Sequence, residues 1–488
     1  MNNSIIRYVL GLVLKMEAIL MILPCLVAVI YREKDGFAYL IVMAVSFTTG
    51  CIATRKKIDN TTFYLKEGCI ATALSWIIMS VVGCMPFVIS GDIPSFTDAL
   101  FETISGFTTT GASILNDVEA LSHCNLMWRS FTHWIGGMGV LVFLMAIIPL
   151  SGGSNINLMR AESPGPSVGK LVPKMKYTAR LLYVIYFGLT ILEFLFLVVG
   201  KMPIFDSVAT AFGTAGTGGF GIKNDSFMSY SPYLQWVVTI FMILFGVNFN
   251  AYYFIILKQW KKSIKMEEVK YYFLIIFSSI GIIMLNICDS VKDIASALRD
   301  ASFQVATIIT TTGFSSVDFD KWNETARLVL VLLMFVGACA GSTGGGIKVS
   351  RFVILFKTLI KELDSYIHPK SIRKIKMDGK PIEHDVVRAV NVYFITFISV
   401  FVVSLFIVST EGKGLVTSFT AVAATINNIG PGLDLVGPTQ NFSIFKDFTK
   451  YVLMFDMLAG RLELFPLLIL FHPAAWKDML NGHSQRKK

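Results

Sequence analysis

Charge is scarce in this sequence. Of its 488 residues only 16% are Asp, Glu, Lys or Arg and 54% are hydrophobic, against about 25% charged and 45 to 50% apolar in ordinary soluble domains. That shortage excludes a water-soluble globular protein. The seven cysteines, at positions 25, 51, 69, 84, 124, 288 and 339, are odd in number, scattered and mostly within or beside apolar runs. They read as small buried apolar residues, neither a disulfide framework nor a metal site. The six histidines are as dispersed: His133 and His472 stand near span ends, and His123, His368, His384 and His483 in loops or the tail. With no cluster of His, Cys or acidic groups, a metal centre, a histidine proton relay and a membrane-embedded enzyme are all disfavoured. No loop is long enough to hold a catalytic domain.

What fills the chain is apolar runs of spanning length. A helix crossing a bilayer of about 30 Å needs roughly 17 to 25 such residues, and runs of that size recur from end to end. The first, Ile5 to Ile30, is too long for a secretory signal and is followed by no small-residue cleavage site, so it reads as a retained span. The net charge of +10 could suggest nucleic acid, but the basic residues are confined to short loops between spans. With alternate loops assigned to one side, 30 of the 43 Lys and Arg fall on that side and 12 on the other, with Arg461 inside an apolar run. The positive-inside bias then places both termini in the cytoplasm.

After two opening spans (Ile5 to Ile30 and Phe37 to Ala53) a pattern begins. A long apolar run, Gly68 to Ile89, precedes a segment too short to span, Ser95 to Thr109, then a Thr/Gly turn and a second long run, Met127 to Leu150. The same order returns as Tyr177 to Val199, Ile204 to Gly213 and Tyr233 to Leu257. It recurs as Val269 to Ile287, Ala295 to Thr310 and Thr325 to Ile360, and as Val386 to Val408, Leu415 to Ile426 and Phe448 to Leu470. A repeat of this regularity predicts an all-α membrane protein with two N-terminal spans (1–66) and four helix, pore-loop, helix units around a central pore: 67–176, 177–268, 269–382 and 383–488.

The four turns read FTTTGAS (107–113), GTAGTGGF (213–220), TTTGFSS (310–316) and INNIGPG (426–432), with glycines at 111, 218, 313 and 430 as the repeat markers. Non-helical backbone at membrane depth is tolerated only where it is buried in protein or lines a wet path. Glycine permits the positive φ that lets successive carbonyls point one way, and four such strands on one axis would replace an ion's hydration shell with carbonyl oxygens. No Asp or Glu stands in any turn, which argues against divalent cations, and the preceding short helices would aim negative dipole ends at a monovalent cation. The competing reading, that Thr/Gly clusters are helix-packing sites, suits one cluster better than four in register.

These residues carry a resemblance. FETISGFTTTG (101–111), WIGGMG (134–139) and NNIGPG (427–432) make the chain similar to the Trk family of bacterial potassium uptake subunits, within the superfamily that includes Ktr and plant and fungal relatives. The two extra opening spans favour Trk over Ktr. The resemblance implies potassium binding in a filter at Thr109, Thr110, Gly111, Gly216, Thr217, Gly218, Thr311, Thr312, Gly313, Asn428, Ile429 and Gly430. The Asn-Ile pair makes the fourth turn the least channel-like, and moderate selectivity would follow. It further implies potassium uptake across the bacterial inner membrane, a homodimer embedded in lipid, and gating by a cytoplasmic nucleotide-binding regulatory subunit. The chain itself is expected to bind no nucleotide and no nucleic acid.

Two features suggest a gate. Gly337 to Lys348 (GACAGSTGGGIK) interrupts an apolar run with glycines that each cost about 1 kcal/mol of helix stability, so a break is expected. It is not a phosphate loop, because Ile347 follows Gly346 where Lys is required. The resemblance implies that Gly341, Ser342, Thr343, Gly344, Gly345 and Gly346 obstruct ions below the filter; the alternative is a tight helix crossing through Gly337 and Gly341. Arg461, deep in the last apolar run, either faces the cavity near that loop, as the resemblance implies, or pairs with Asp456 or Glu463. Glu17 and Glu193 are candidate proton carriers or partnered buried carboxylates. A secondary transporter coupling potassium to protons or sodium remains the competing mechanism, although such proteins usually show two inverted halves.

Overall fold

A computed structural model of the chain describes residues 3–56, 64–139, 175–288, 293–369 and 374–476. Helices α1 (Asn3–Leu20) and α2 (Ile22–Tyr31) form one span and α3 (Gly36–Arg55) returns beside it. A Cβ on Gly50 would come within 2.7 Å of the Gly11 carbonyl. Small residues at that crossing let α1 and α3 pack backbone to backbone, as membrane helices do without a hydrophobic driving force between them.

Four copies of one unit follow. The first holds α4 (Leu65–Ser90), the short α5 (Phe96–Phe107) and α6 (His123–Met138). The second holds α7 (Met175–Val199), α8 (Ile204–Ala215), α9 (Pro232–Gly246) and α10 (Phe249–Ile256), with the short α11 (Trp260–Lys265) behind it. The third holds α12 (Glu267–Ile287), α13 (Ile294–Ile309), α14 (Glu324–Phe335) and α15 (Val349–Ile367). The fourth holds α16 (His384–Ser409), α17 (Leu415–Ile426), α18 (Asp447–Arg461) and α19 (Phe465–Leu468). A hairpin, β1 (Lys376–Met377) with β2 (Lys380–Pro381), joins the last two copies. Residues 140–174, where the first copy's second run was expected to end and a loop to follow, lie outside the described residues.

Helices α5, α8 and α17 have 12 residues each and α13 has 16. At about 1.5 Å per residue they reach only part-way across a bilayer. The Ser95 hydroxyl and the Asp293 carboxylate start two of them by accepting the N–H of Asp98 and Ser296. Polarity is distributed in reverse of a soluble protein. Thr108 to Thr110, Thr310 to Thr312, Asn427 and Asn428 are fully buried, while Ile395, Val402, Val403 and Phe406 on α16 are more than half exposed, a face suited to lipid.

One expectation needs correction. Only the third copy's second run was expected to break, yet those of copies two and four break as well. α9 and α10 meet at 91° across Val247 and Asn248, and α18 gives way at Glu463 and Leu464, which take positive φ. Each bend follows a glycine seated against the neighbouring turn region, Gly246 on Thr310 and Gly460 on Ile426. The backbone turns aside where it meets the inner end of a half-length helix.

The first and last described residues lie on one face: Arg7 donates to the Ala53 carbonyl at the end of α3, and Lys66, at the start of α4, to Ala474. On the opposite face Glu33 ties the α2–α3 turn to the start of α6, accepting the N–H of His123 at 2.8 Å and of Cys124 at 2.9 Å. Burial alone would raise this carboxyl; those N–H groups together with the His123 ring outweigh it and hold Glu33 below its ordinary 4.5. A depressed acid stabilises the fold above the unfolded pKa and loses that contribution as pH falls through the folded one. Acidification below 4.5 should therefore lower the melting midpoint of the solubilised protein. In Glu33→Gln the midpoint should start lower and change less across that window.

Candidate ion-selective centre

The short helices converge, and each chain leaves its helix by the same path. Thr109, Thr217, Thr311 and Asn428 take φ of 56°, 54°, 58° and 56°. The next residues, Thr110, Gly218, Thr312 and Ile429, donate their N–H to Ser105, Gly213, Thr307 and Ala424 at 2.8 to 2.9 Å. Glycines with φ of 78°, 77°, 91° and 96° then follow at 111, 219, 313 and 430. The geometry thus moves the second copy by one residue from the sequence alignment. Thr217, Gly218 and Gly219 match Thr109, Thr110 and Gly111, and Gly216 falls at the position of Thr108, one residue before the turn.

The glycines close a ring. A Cβ at Gly111 would collide with the Gly218 carbonyl, one at Gly219 with Thr312, one at Gly313 with Ile429, and one at Gly430 with Thr110. Each strand lies against the next and the fourth against the first, so glycine is required both for its φ and for this approach. Above the ring all four glycines line one cavity of about 200 Å³. Its rim is stitched between copies by Asn224 to Val118, Ser226 to Ser315, Asp320 to Asp434 and Asn441 to Asn116. Below it, the Thr109 hydroxyl and the Asn428 side-chain oxygen are buried and accept no hydrogen bond among the described residues. In the fourth strand Ile429 supplies no hydroxyl, and Asn428 donates instead to the Thr110 hydroxyl at 3.0 Å and the Met457 carbonyl at 2.9 Å.

Residues 336–348 form a loop beneath these strands, buried except around Gly341, which is exposed, and pinched at its neck where Gly337 donates to the Ile347 carbonyl. The Gly345 N–H reaches the Thr311 hydroxyl at 2.6 Å, and a Cβ there would meet the Asn427 carbonyl at 2.8 Å. Lys348 donates to the Gly344 and Gly345 carbonyls. Arg461 donates to Thr343 at 3.0 Å and to Gly136 and Gly137, so one guanidinium joins the loop to the carbonyl end of α6. The acids considered as its partners are engaged elsewhere: Glu463 pairs with Arg351, and Asp456 accepts from Ser404 at 2.7 Å. Gly341, Ser342, Gly344 and Gly346 lie in the same loop, and no helix passes through Gly337 and Gly341 to make the alternative crossing.

Three residues behind the ring carry polar contacts that the sequence did not reveal. Glu102 on α5 pairs with Arg129 on α6 at 2.6 Å, both buried. Glu102 also accepts from Ser113 and Ile114 of the first strand, while Arg129 donates to Gly221 of the second and stands 3.7 Å from the centre of the Phe220 ring. His133, one turn on, meets the Gly106 carbonyl at 2.7 Å through Nδ1 and accepts the Phe220 N–H through Nε2. The available signal was an acid and a base standing alone in apolar surroundings.

A family model described as "Cation transport protein", TrkH, matches residues 34–481. The chain belongs to the TrkH family. It is 34% identical to "Trk system potassium uptake protein TrkH" of Salmonella typhimurium, covering 98% of this chain and all of that one. It is 32% identical to "Trk system potassium uptake protein TrkG" of Escherichia coli K12, with 98% and 100% covered. The solved structure described as the potassium transporter TrkH from Vibrio parahaemolyticus superimposes with a TM-score of 0.88 at 31% identity, over 98% of this chain and all of that one. Membership in a cation transport family places the chain among transporters, not among an enzyme family.

Removing one partner of a buried ion pair strands the other, at a cost of about 3 to 5 kcal/mol. Arg129→Ala and Glu102→Ala should each lower the melting temperature of the solubilised protein strongly. The double variant should lose less than the sum of the two; strict additivity would show that the two charges do not stabilise one another.

Proposed function

We propose that the chain carries potassium into the bacterial cell through the four-strand ring, with the 341–346 loop and Arg461 forming its closed gate. The observation that carries this reading is the closed ring of four like turns with no acidic side chain in any of them. A site of backbone and hydroxyl oxygen suits a large monovalent cation, whereas divalent sites use carboxylates. Four short helices ending at the ring add the negative ends of their dipoles. The buried acceptors on Thr109 and Asn428 offer an incoming ion further oxygen on the loop side. The relatives' names as potassium uptake proteins point the same way.

In the closed state the loop fills the space under the ring and Arg461 puts a positive charge on the ion's route. At 4 Å and an effective dielectric of 20, two unit charges repel by about 4 kcal/mol, enough to empty a site that binds weakly. The excess of Lys and Arg on the face that carries the first and last described residues supports the cytoplasm on that side. Regulation by a cytoplasmic nucleotide-binding subunit, and assembly as a homodimer in the inner membrane, rest on the family resemblance. The loop is not a phosphate loop, since Ile347 stands where that motif places lysine.

Flux into liposomes tests the reading. Wild-type protein should take up potassium in preference to sodium, and Gly111→Ala, Gly219→Ala, Gly313→Ala and Gly430→Ala should each abolish that preference in protein that still inserts. Gly218→Ala probes the register, because its new methyl group meets the His133 ring and not a neighbouring strand. His133→Ala should recover part of the loss at Gly218 and none at Gly219. Selectivity indifferent to all four ring glycines would overturn the assignment.

Potassium–proton symport is the second reading, favoured by Glu17 and Glu193. Both are fully buried; the Glu17 carboxylate accepts no hydrogen bond among the described residues, and the Glu193 carboxylate has only the Thr214 hydroxyl beside it. Symport requires potassium uptake to acidify the liposome lumen, and Glu17→Gln or Glu193→Gln to uncouple the two fluxes. Potassium entry with no proton movement rejects it.

A further inference from the structure

The loop beneath the ring has two ends, and one carboxylate holds both. Glu268, in the first turn of α12, is 5% exposed. Its Oε1 accepts the Ala340 N–H, on the near side of residues 341–346, at 2.6 Å and the Ser350 N–H, beyond them in the first turn of α15, at 3.2 Å. Its Oε2 accepts from the Asn248 side chain at 3.2 Å. Asn248 stands at the bend between α9 and α10, and the neighbouring Phe249 N–H donates to Gly341 at 3.0 Å. The Ala340 N–H belongs to the loop, the Ser350 N–H to the first turn of α15 and the third donor to the Asn248 side chain, so Glu268 ties the loop as it lies here to two neighbouring helix ends.

The preceding residue points outward. The Glu267 N–H donates to the Asp378 carboxylate at the tip of the β1–β2 hairpin at 2.8 Å, and its own carboxylate pairs with Lys357 of α15. Lys357 donates in turn to the Lys376 carbonyl of β1 at 2.8 Å. Met377 of the hairpin is buried against Ile354 of α15 and Val390 of α16. Two consecutive residues of α12 therefore join the exposed hairpin to both ends of the intramembrane loop through directed hydrogen bonds.

We propose that Glu268 is the latch of the loop, a positioning residue that holds it closed, and that displacement of the 376–381 hairpin acts on the latch through Glu267 and Lys357. This rests on the gate reading given above. Removing the negative charge of Glu268 weakens acceptance at both loop ends together, which frees the loop without touching the ring. A force applied to the hairpin reaches the same place by moving the first turn of α12 and the first turns of α15.

The test uses the full-length chain in liposomes without any partner. Glu268→Gln should raise potassium flux about tenfold, within the range of coupling between linked sites, while leaving the potassium-to-sodium preference unchanged. A second readout is chemical. Cys339 is fully buried beside Ala340, so in a chain whose other six cysteines are replaced by Ala a maleimide should label it about tenfold faster in Glu268→Gln, by the same coupling. Lys357→Met combined with Asp378→Ala, on the loop face, should move both readouts in the same direction and serves if Glu268→Gln does not insert. Deletion of Gly341 to Gly346 is the reference for an absent gate. If the deletion opens the pore while the two sets of point variants keep wild-type flux and labelling, the latch is wrong and the gate stands. If the deletion changes nothing either, the gate reading itself falls.

Discussion

Backbone that leaves the helix inside a membrane has to find its hydrogen-bond partners within the protein. The four turns meet that constraint mutually. Each reverses at a residue with φ near 56°, returns one N–H to its own short helix, and lays a glycine against the carbonyl of the next strand. Because the contacts run from the first copy to the second, third and fourth and back to the first, no subset of copies satisfies itself. The need for four strands follows from this closure, as does the burial of threonine and asparagine at the centre of an otherwise apolar molecule.

Closure also explains which features the sequence could disclose. Span lengths, half-length segments and the order of the repeat are one-dimensional quantities, and hydropathy with residue counting recovers them. The register of the second turn is not of that kind. Its GTGG offers three glycines, and similarity of letters selects Gly218, whereas backbone torsion and contact with Thr312 select Gly219. The bends after Gly246 and Gly460 were hidden for a related reason. Hydropathy stays high through Val247 and through Leu462 to Phe465, and nothing in composition says that a backbone must turn to clear the end of a neighbouring helix. Glu102 and Arg129 lie 27 residues apart on different helices, so their pairing emerged only with the fold.

Four-fold repetition of the backbone leaves the side chains free to differ. Gly136 and Gly460 occupy equivalent seats, on Phe107 and Ile426. Counting back from them sets Arg129 against Leu453 and His133 against Met457. The first copy therefore braces its seam with an ion pair and an imidazole where the fourth uses apolar packing. Counting forward by one sets Arg461 against Gly137. The fourth copy carries a guanidinium where the first has a glycine packed against Gly216 and Tyr186, and that guanidinium reaches across to the Gly137 carbonyl. Asn428 makes the reciprocal repair in the ring, donating to Thr110 where Ile429 cannot. Divergence among copies is tolerated where the missing group is supplied from the adjacent one.

The placement of Arg461 bears on how the proposed gate can work. Arg461 is half-buried, and stripping a guanidinium there of its partners is costly, so a motion that opens the pore is easier if it leaves the arginine bonded. Its contacts include both a helix end and the loop: Gly136 and Gly137 belong to the carbonyl end of α6, where the helix dipole favours a cation, and Thr343 belongs to the loop. Withdrawal of the loop removes the Thr343 carbonyl and leaves the α6 carbonyls in place. The arginine can thus stay anchored to the helix end through opening, and water entering the vacated space can replace the lost acceptor. Lys348 differs in this respect, because it donates to Gly344 and Gly345 in the loop and would travel with them. One cation held at the helix end and one carried on the moving element make the electrostatic barrier largest when the loop is seated, which lets a modest displacement change the ion's path by more than its volume alone.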